Sequence, residues 1–134
     1  MEIHVKIVGV LLVLLAVMHL GLPNYFNWQY ELKEVSLMTR QILYVHTFFI
    51  ALIVLFMGVI CLFGSSDLIQ TALGKKISLL LFIFWLIRLM FQFFVYSPTL
   101  WKGKKFETVM HILFSSLWIY FTVIFFLVYS NFRP

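Results

Sequence analysis

Residues 109–130 read VMHILFSSLWIYFTVIFFLVYS, a stretch of 22 residues without one aspartate, glutamate, lysine or arginine. At 1.5 Å per residue a helix of that length covers about 33 Å, enough to cross the roughly 30 Å hydrocarbon core of a bilayer. Only helices and closed barrels can cross lipid, and the stretch has none of the two-residue alternation of a barrel strand. Three further runs precede it: Ile7 to Leu22, Ile42 to Phe63 and Ile77 to Tyr96. Helices at about 7–22, 42–63, 77–96 and 109–130 predict an all-α, polytopic membrane protein. Its expected form is a four-transmembrane-helix bundle, a single transmembrane domain over residues 1–134.

Composition agrees. The chain is 63% hydrophobic and 11% charged, with mean hydropathy +1.04, where a soluble domain carries about 25% charged residues. One small core cannot hide that much apolar surface, so lipid must cover it. The net charge of +5 sits in short connections. It reads as attraction to anionic headgroups rather than to nucleic acid. The single cysteine, Cys61, excludes an intramolecular disulfide, and its apolar neighbours make it a packing residue. Lys6 before the first run resembles the start of a signal peptide. However, the run ends His19-Leu20-Gly21-Leu22-Pro23 without a small-residue cleavage site, so a retained helix is expected.

The first connection, Pro23 to Gln41, carries Tyr25, Phe26, Trp28 and Tyr30, which suits an aromatic belt. Trp28, Leu32 and Val35 recur at helical spacing, so a short interfacial helix is expected there. Gly64, Ser65, Ser66 and Asp67 read as a turn opening the second connection. The third holds Pro98 and a basic patch of Lys102, Lys104 and Lys105. Four crossings put Lys6, Lys75, Lys76 and Arg133 on one side of the membrane. Lys33, Arg40, Lys102, Lys104 and Lys105 fall on the other, a balance that gives the positive-inside rule no orientation to assign. Arg40 precedes His46 by six residues and Lys105 precedes His111 by six. That echo suggests two helical hairpins, although two matches are also what chance supplies.

The candidate site is a set of polar residues within the apolar runs. Ionisable groups in hydrocarbon are costly and mark sites. His19, His46 and His111 come from three helices, and Arg88 and Gln92 from the remaining one. Counting from the run ends places all five in the same half of the bilayer, with Arg88 nearest the midplane. On the third helix Trp85, Arg88 and Gln92 share a face, so Trp85 is expected to cover the guanidinium. On the fourth, Glu107, His111, Ser115, Trp118 and Thr122 form one stripe, with Glu107 placed to accept the His111 N–H. Thr47, Ala51, Val54 and Gly58 form a small-residue strip suited to close helix packing.

Three chemistries fit. His19, His46 and His111 can ligate a b-type haem or a transition metal (Cu, Zn or Fe), a pattern that resembles cytochrome b-type anchors at the level of fold alone. Arg88, Gln92, Trp85 and Glu107 can hold the head of a quinone or an anionic lipid. Alternatively the polar residues only fix helix register, in an accessory subunit of a larger membrane complex or a homo-oligomer. For each histidine alone a hydrogen-bonded packing role competes, above all for His19, which can bond a carbonyl of its own helix. No nucleophile elbow, P-loop, dinucleotide fingerprint or paired acidic motif occurs, which argues against hydrolase or kinase chemistry.

Overall fold

The computed structural model describes residues 1–96, 98–100 and 102–131, and no strand occurs among them. Arg133, counted above in the charge balance, lies outside the described residues, as does Ser97 at the start of the third connection. The helices are α1 (Glu2–Tyr25), α2 (Trp28–Glu31), α3 (Leu37–Phe63), α4 (Ser65–Gln70), α5 (Ala72–Phe94) and α6 (Lys105–Ser130), with a 3-10 turn at Pro98–Leu100. The protein is all-α, and α1, α3, α5 and α6 are long and apolar enough to cross a membrane.

Each long helix starts four to five residues before its apolar run, and α5 stops at Phe94 rather than Tyr96. Hydropathy marks where hydrocarbon ends, whereas helical hydrogen bonding continues outward through Lys6, Arg40, Lys75, Lys76 and Lys105. The apolar stems of such residues remain useful at the interface while their charges reach water. α1 also runs through Pro23 to Tyr25. Proline there forfeits only the hydrogen bond to the His19 carbonyl, close to the helix end. Asn27 turns the chain in the left-handed region (φ 52°), which asparagine tolerates better than most residues. The expected interfacial helix is the single turn α2, with Trp28 edge-on to Tyr44 of α3 at 5.4 Å.

The second connection departs most from the sequence reading: Ser65–Gln70 is helix, not an open turn. Thr71 then ends α4 and starts α5 with one hydroxyl. Its Oγ1 donates to the Asp67 carbonyl (2.6 Å) and accepts from Gly74 N–H (2.9 Å). Replacing Thr71 by Ala is expected to cost about 1 kcal/mol, the usual worth of an N-cap, measurable by denaturant titration in mixed micelles.

The chain divides into two compact units, Ile3–Ser65 and Ser66–Pro134, the latter with Met1–Glu2. In the first, α1 and α3 run antiparallel and touch at glycine. A Cβ on Gly9 would lie 3.0 Å from the Gly58 carbonyl oxygen, and a Cβ on Gly58 would lie 3.0 Å from the Gly9 carbonyl oxygen. Ala51, Val54, Gly58 and Cys61 are the buried residues of α3, so the small-residue strip packs as expected and Cys61 is fully buried within it. In the second unit α5 and α6 form an antiparallel hairpin. α5 buries Gly74, Ser78, Leu81, Trp85 and Gln92; α6 buries Ser115, Trp118, Phe121, Thr122, Ile124, Phe125 and Val128. Lys75 lies over the Tyr129 ring (5.2 Å) near the end opposite the connecting loop.

Candidate functional site

The α5–α6 seam carries a polar cluster centred on Gln92, which is only 7% exposed. Gln92 Oε1 accepts from Arg88 Nη1 (3.4 Å) and from Trp118 Nε1 (3.4 Å). Gln92 Nε2 meets His111 Nδ1 at 2.9 Å. A guanidinium and an indole N–H can only donate, so they fix the amide with its oxygen toward them. The amide NH₂ must then face His111 and donate, so Nδ1 accepts and the imidazole is the neutral Nε2–H tautomer. The ring of Phe93 stands edge-on to His111 at 6.1 Å.

Trp118 is the second hub. It stacks on Trp85 (5.0 Å, 19° between planes) and on Phe114 (5.7 Å, 19°). The Arg88 guanidinium lies 5.1 Å from the Trp118 ring centre and 5.4 Å from that of Tyr96. The expectation that Trp85 covers Arg88 is therefore corrected. Trp85 stacks behind Trp118, and Trp118, reaching across from α6, takes the cation. Along its own helix, Arg88 reaches toward Gln92 and Tyr96.

His111 is placed at this cluster as expected, but its Nδ1 partner is Gln92. Glu107 stands exposed in the first turn of α6, where a carboxylate favours the helix dipole. The other two histidines belong to the first unit. His19 uses Nδ1 to donate to the Leu15 carbonyl at 2.8 Å, the local bond that its place near the helix end suggested. His46 is exposed in a shallow groove with Gln41, Ile42 and Val45 of the same helix. Among the described residues no group of three or more His, Cys, Asp or Glu stands close enough to hold a metal ion.

Among the described residues three buried polar atoms have no hydrogen-bond partner: Ser78 Oγ, Trp85 Nε1 and Ser115 Oγ. Sequence reasoning placed Ser115 on the polar stripe of α6 but gave it no role, and Tyr96 was read only as a boundary residue. A spacing argument alone could have found Ser115, because it stands one turn along α6 from His111.

Compared with known proteins, the chain matches no family model, no curated protein and no solved structure.

Proposed function

We propose that this chain is a small multi-pass membrane protein that binds the anionic headgroup of a lipid at Arg88, Gln92 and His111. The observation that carries the reading is the company Arg88 keeps. Among the described residues its partners are Gln92, Tyr96 and Trp118, all neutral. A guanidinium within an apolar span costs about 2.5–3.5 kcal/mol when inserted near the helix centre. Cation–π contact offsets up to about 2 kcal/mol of that, and most N–H donors of the fork remain to be used. A phosphate oxygen pair matches the fork in shape and charge. The guanidinium points toward the end of the hairpin where Lys102, Lys104 and Lys105 are exposed, and these residues would concentrate anionic lipid nearby.

The geometry favours this over haem or metal ligation. The Nδ1 lone pair of His111 is occupied by Gln92, and its Nε2 carries the proton, so ligation would require both tautomer exchange and loss of the Gln92 bond. A quinone carbonyl could also accept from Arg88, but it would leave the charge unbalanced.

The test is purification in mild detergent, followed by lipid extraction with mass spectrometry and a UV–visible spectrum. The expected result is a colourless protein that retains phospholipid, which Arg88→Gln releases. Phosphatidylglycerol should raise the Tm of delipidated wild type but not of R88Q, and phosphatidylcholine should do less. A Soret band, or stabilisation by a quinone and not by phosphatidylglycerol, would overturn the reading.

A further inference from the structure

The register of the α5–α6 seam is fixed at two points, the Gln92–His111 hydrogen bond and the Trp85–Trp118 stack. Arg88 is four residues before Gln92, and Ser115 is four residues after His111. Three more residues along each helix lead to Trp85 and Trp118. Arg88 and Ser115 are therefore level with one another across the seam, one turn below the amide–imidazole pair and one turn above the stacked indoles.

Ser115 is 7% exposed and Trp85 2% exposed, and neither Ser115 Oγ nor Trp85 Nε1 has a partner among the described residues. This is unusual for this helix. Ser116 donates to the Ile112 carbonyl (2.8 Å) and Thr122 to the Trp118 carbonyl (2.7 Å), the local bond open to any helical hydroxyl. Ser115 Oγ makes no such bond to the carbonyl one turn back. A buried donor left unmade destabilises a fold, so such groups are ordinarily satisfied by water or ligand.

We infer that Ser115 and Trp85 are ligand-binding groups that share with Arg88 one oxyanion oxygen, the phosphate of a membrane lipid, seated one turn below Gln92 and His111. The inference rests on the headgroup reading above and narrows it. Arg88 and Trp85 can only donate and the serine hydroxyl can rotate to donate, so the matching group is acceptor-only: a phosphate oxygen rather than an ammonium or choline. Trp118 forms the wall against which the cation is held, and the ligand oxygen completes the valences that the protein leaves open.

Ser115→Ala separates this from a merely structural serine because two readouts move in opposite directions. In delipidated protein the variant removes an unsatisfied hydroxyl, so its Tm should rise by a few degrees. Its affinity for phosphatidylglycerol, titrated in mixed micelles by thermal shift, should fall about tenfold, the worth of a hydrogen bond to a charged group. Trp85→Phe, which keeps the stack and deletes the N–H, should weaken the same titration. Inorganic phosphate alone is the companion probe. Stabilisation by phosphatidylglycerol but not by phosphate identifies a lipid source, and stabilisation by both, each weakened in S115A, identifies a free-anion source for the same oxyanion site. If wild type binds phosphatidylglycerol and both variants bind it equally well, the inference falls and the headgroup reading stands. If wild type binds neither probe, the headgroup reading itself falls.

Discussion

Gly58→Leu should destabilise the protein by about 3 kcal/mol or more, and Gly9→Leu by a similar amount. The cause is backbone proximity. A Cβ on Gly58 would stand 2.8 Å from Val13 Cγ2, 3.0 Å from the Gly9 carbonyl oxygen and 3.1 Å from Val13 N. Its counterpart on Gly9 would meet Leu62 Cγ at 2.8 Å and Leu62 N at 3.0 Å. Side chains can rotate away from such an intrusion, but a carbonyl oxygen and an amide nitrogen cannot. The two helices would have to separate, and every contact along the seam would lengthen. In soluble cores overpacking costs roughly 1–3 kcal/mol. Between membrane helices close packing is itself the main attraction, since lipid is as apolar as the partner helix. Unfolding of purified protein by SDS titration in mixed micelles would measure the loss. Gly21 supplies the control, because a Cβ there meets nothing within 4 Å. Gly21→Ala should stabilise by up to about 1 kcal/mol through helix propensity alone. Equal tolerance at positions 21 and 58 would refute the close contact.

Gln92→Leu carries the second large effect. The substitution keeps the size of the side chain and deletes its amide, which serves three partners: the Arg88 guanidinium, the Trp118 indole and the His111 imidazole. Interhelical hydrogen bonds in membranes average about 0.6 kcal/mol each. Two of the three bonds are interhelical, so by that scale alone the loss would be about 1 kcal/mol. One orphaned partner is a cation, however, and buried groups left unsatisfied cost about 1–3 kcal/mol each, more when charged. A loss of about 3–4 kcal/mol is expected, read by SDS titration with circular dichroism so that the altered indole does not confuse the signal. Gln92→Glu is the informative companion. Its carboxylate would pair with Arg88 and accept from Trp118, but it has no N–H to offer His111. The imidazole would then have to present a proton at Nδ1. Nitrogen-15 NMR of labelled histidine should show the Nε2–H tautomer in wild type and a protonated Nδ1 in Q92E. An Nδ1–H tautomer in wild type would show that the amide is reversed.

The four long helices were legible because lipid leaves only one way to satisfy the backbone of a 20-residue apolar run. Their polar first turns were not, since hydropathy reports the surrounding solvent rather than the hydrogen-bond ladder. Ser65–Gln70 was misread for a related reason. Ser-Ser-Asp favours turns and helix starts alike, and what decided between them was the Thr71 hydroxyl downstream together with burial of Leu68 (2% exposed). In the site, Arg88, Gln92 and His111 announced themselves as polar residues among apolar ones. Their pairing did not, because Gln92 and His111 are 19 positions apart and only the register of two helices brings them together. The same gap concealed Trp118 as the partner of Arg88. Trp85 lies on the same helix face as Arg88 and looked nearer, whereas the facing helix supplied the better-placed ring.

All of the polar cluster is contained between Trp85 and Trp118, in two long helices of which α5 is synthesised before α6. This has a consequence for biogenesis. While α5 leaves the ribosome, Arg88 has Gln92 and Tyr96 beside it but neither Trp118 nor His111. A translocon testing that segment alone therefore meets an uncovered cation. The aromatic wall arrives only with α6, so α5 and α6 should partition into the membrane as a pair. A chain halted after residue 100 should leave α5 less completely inserted than the full chain does, and neutralising Arg88 should remove that dependence.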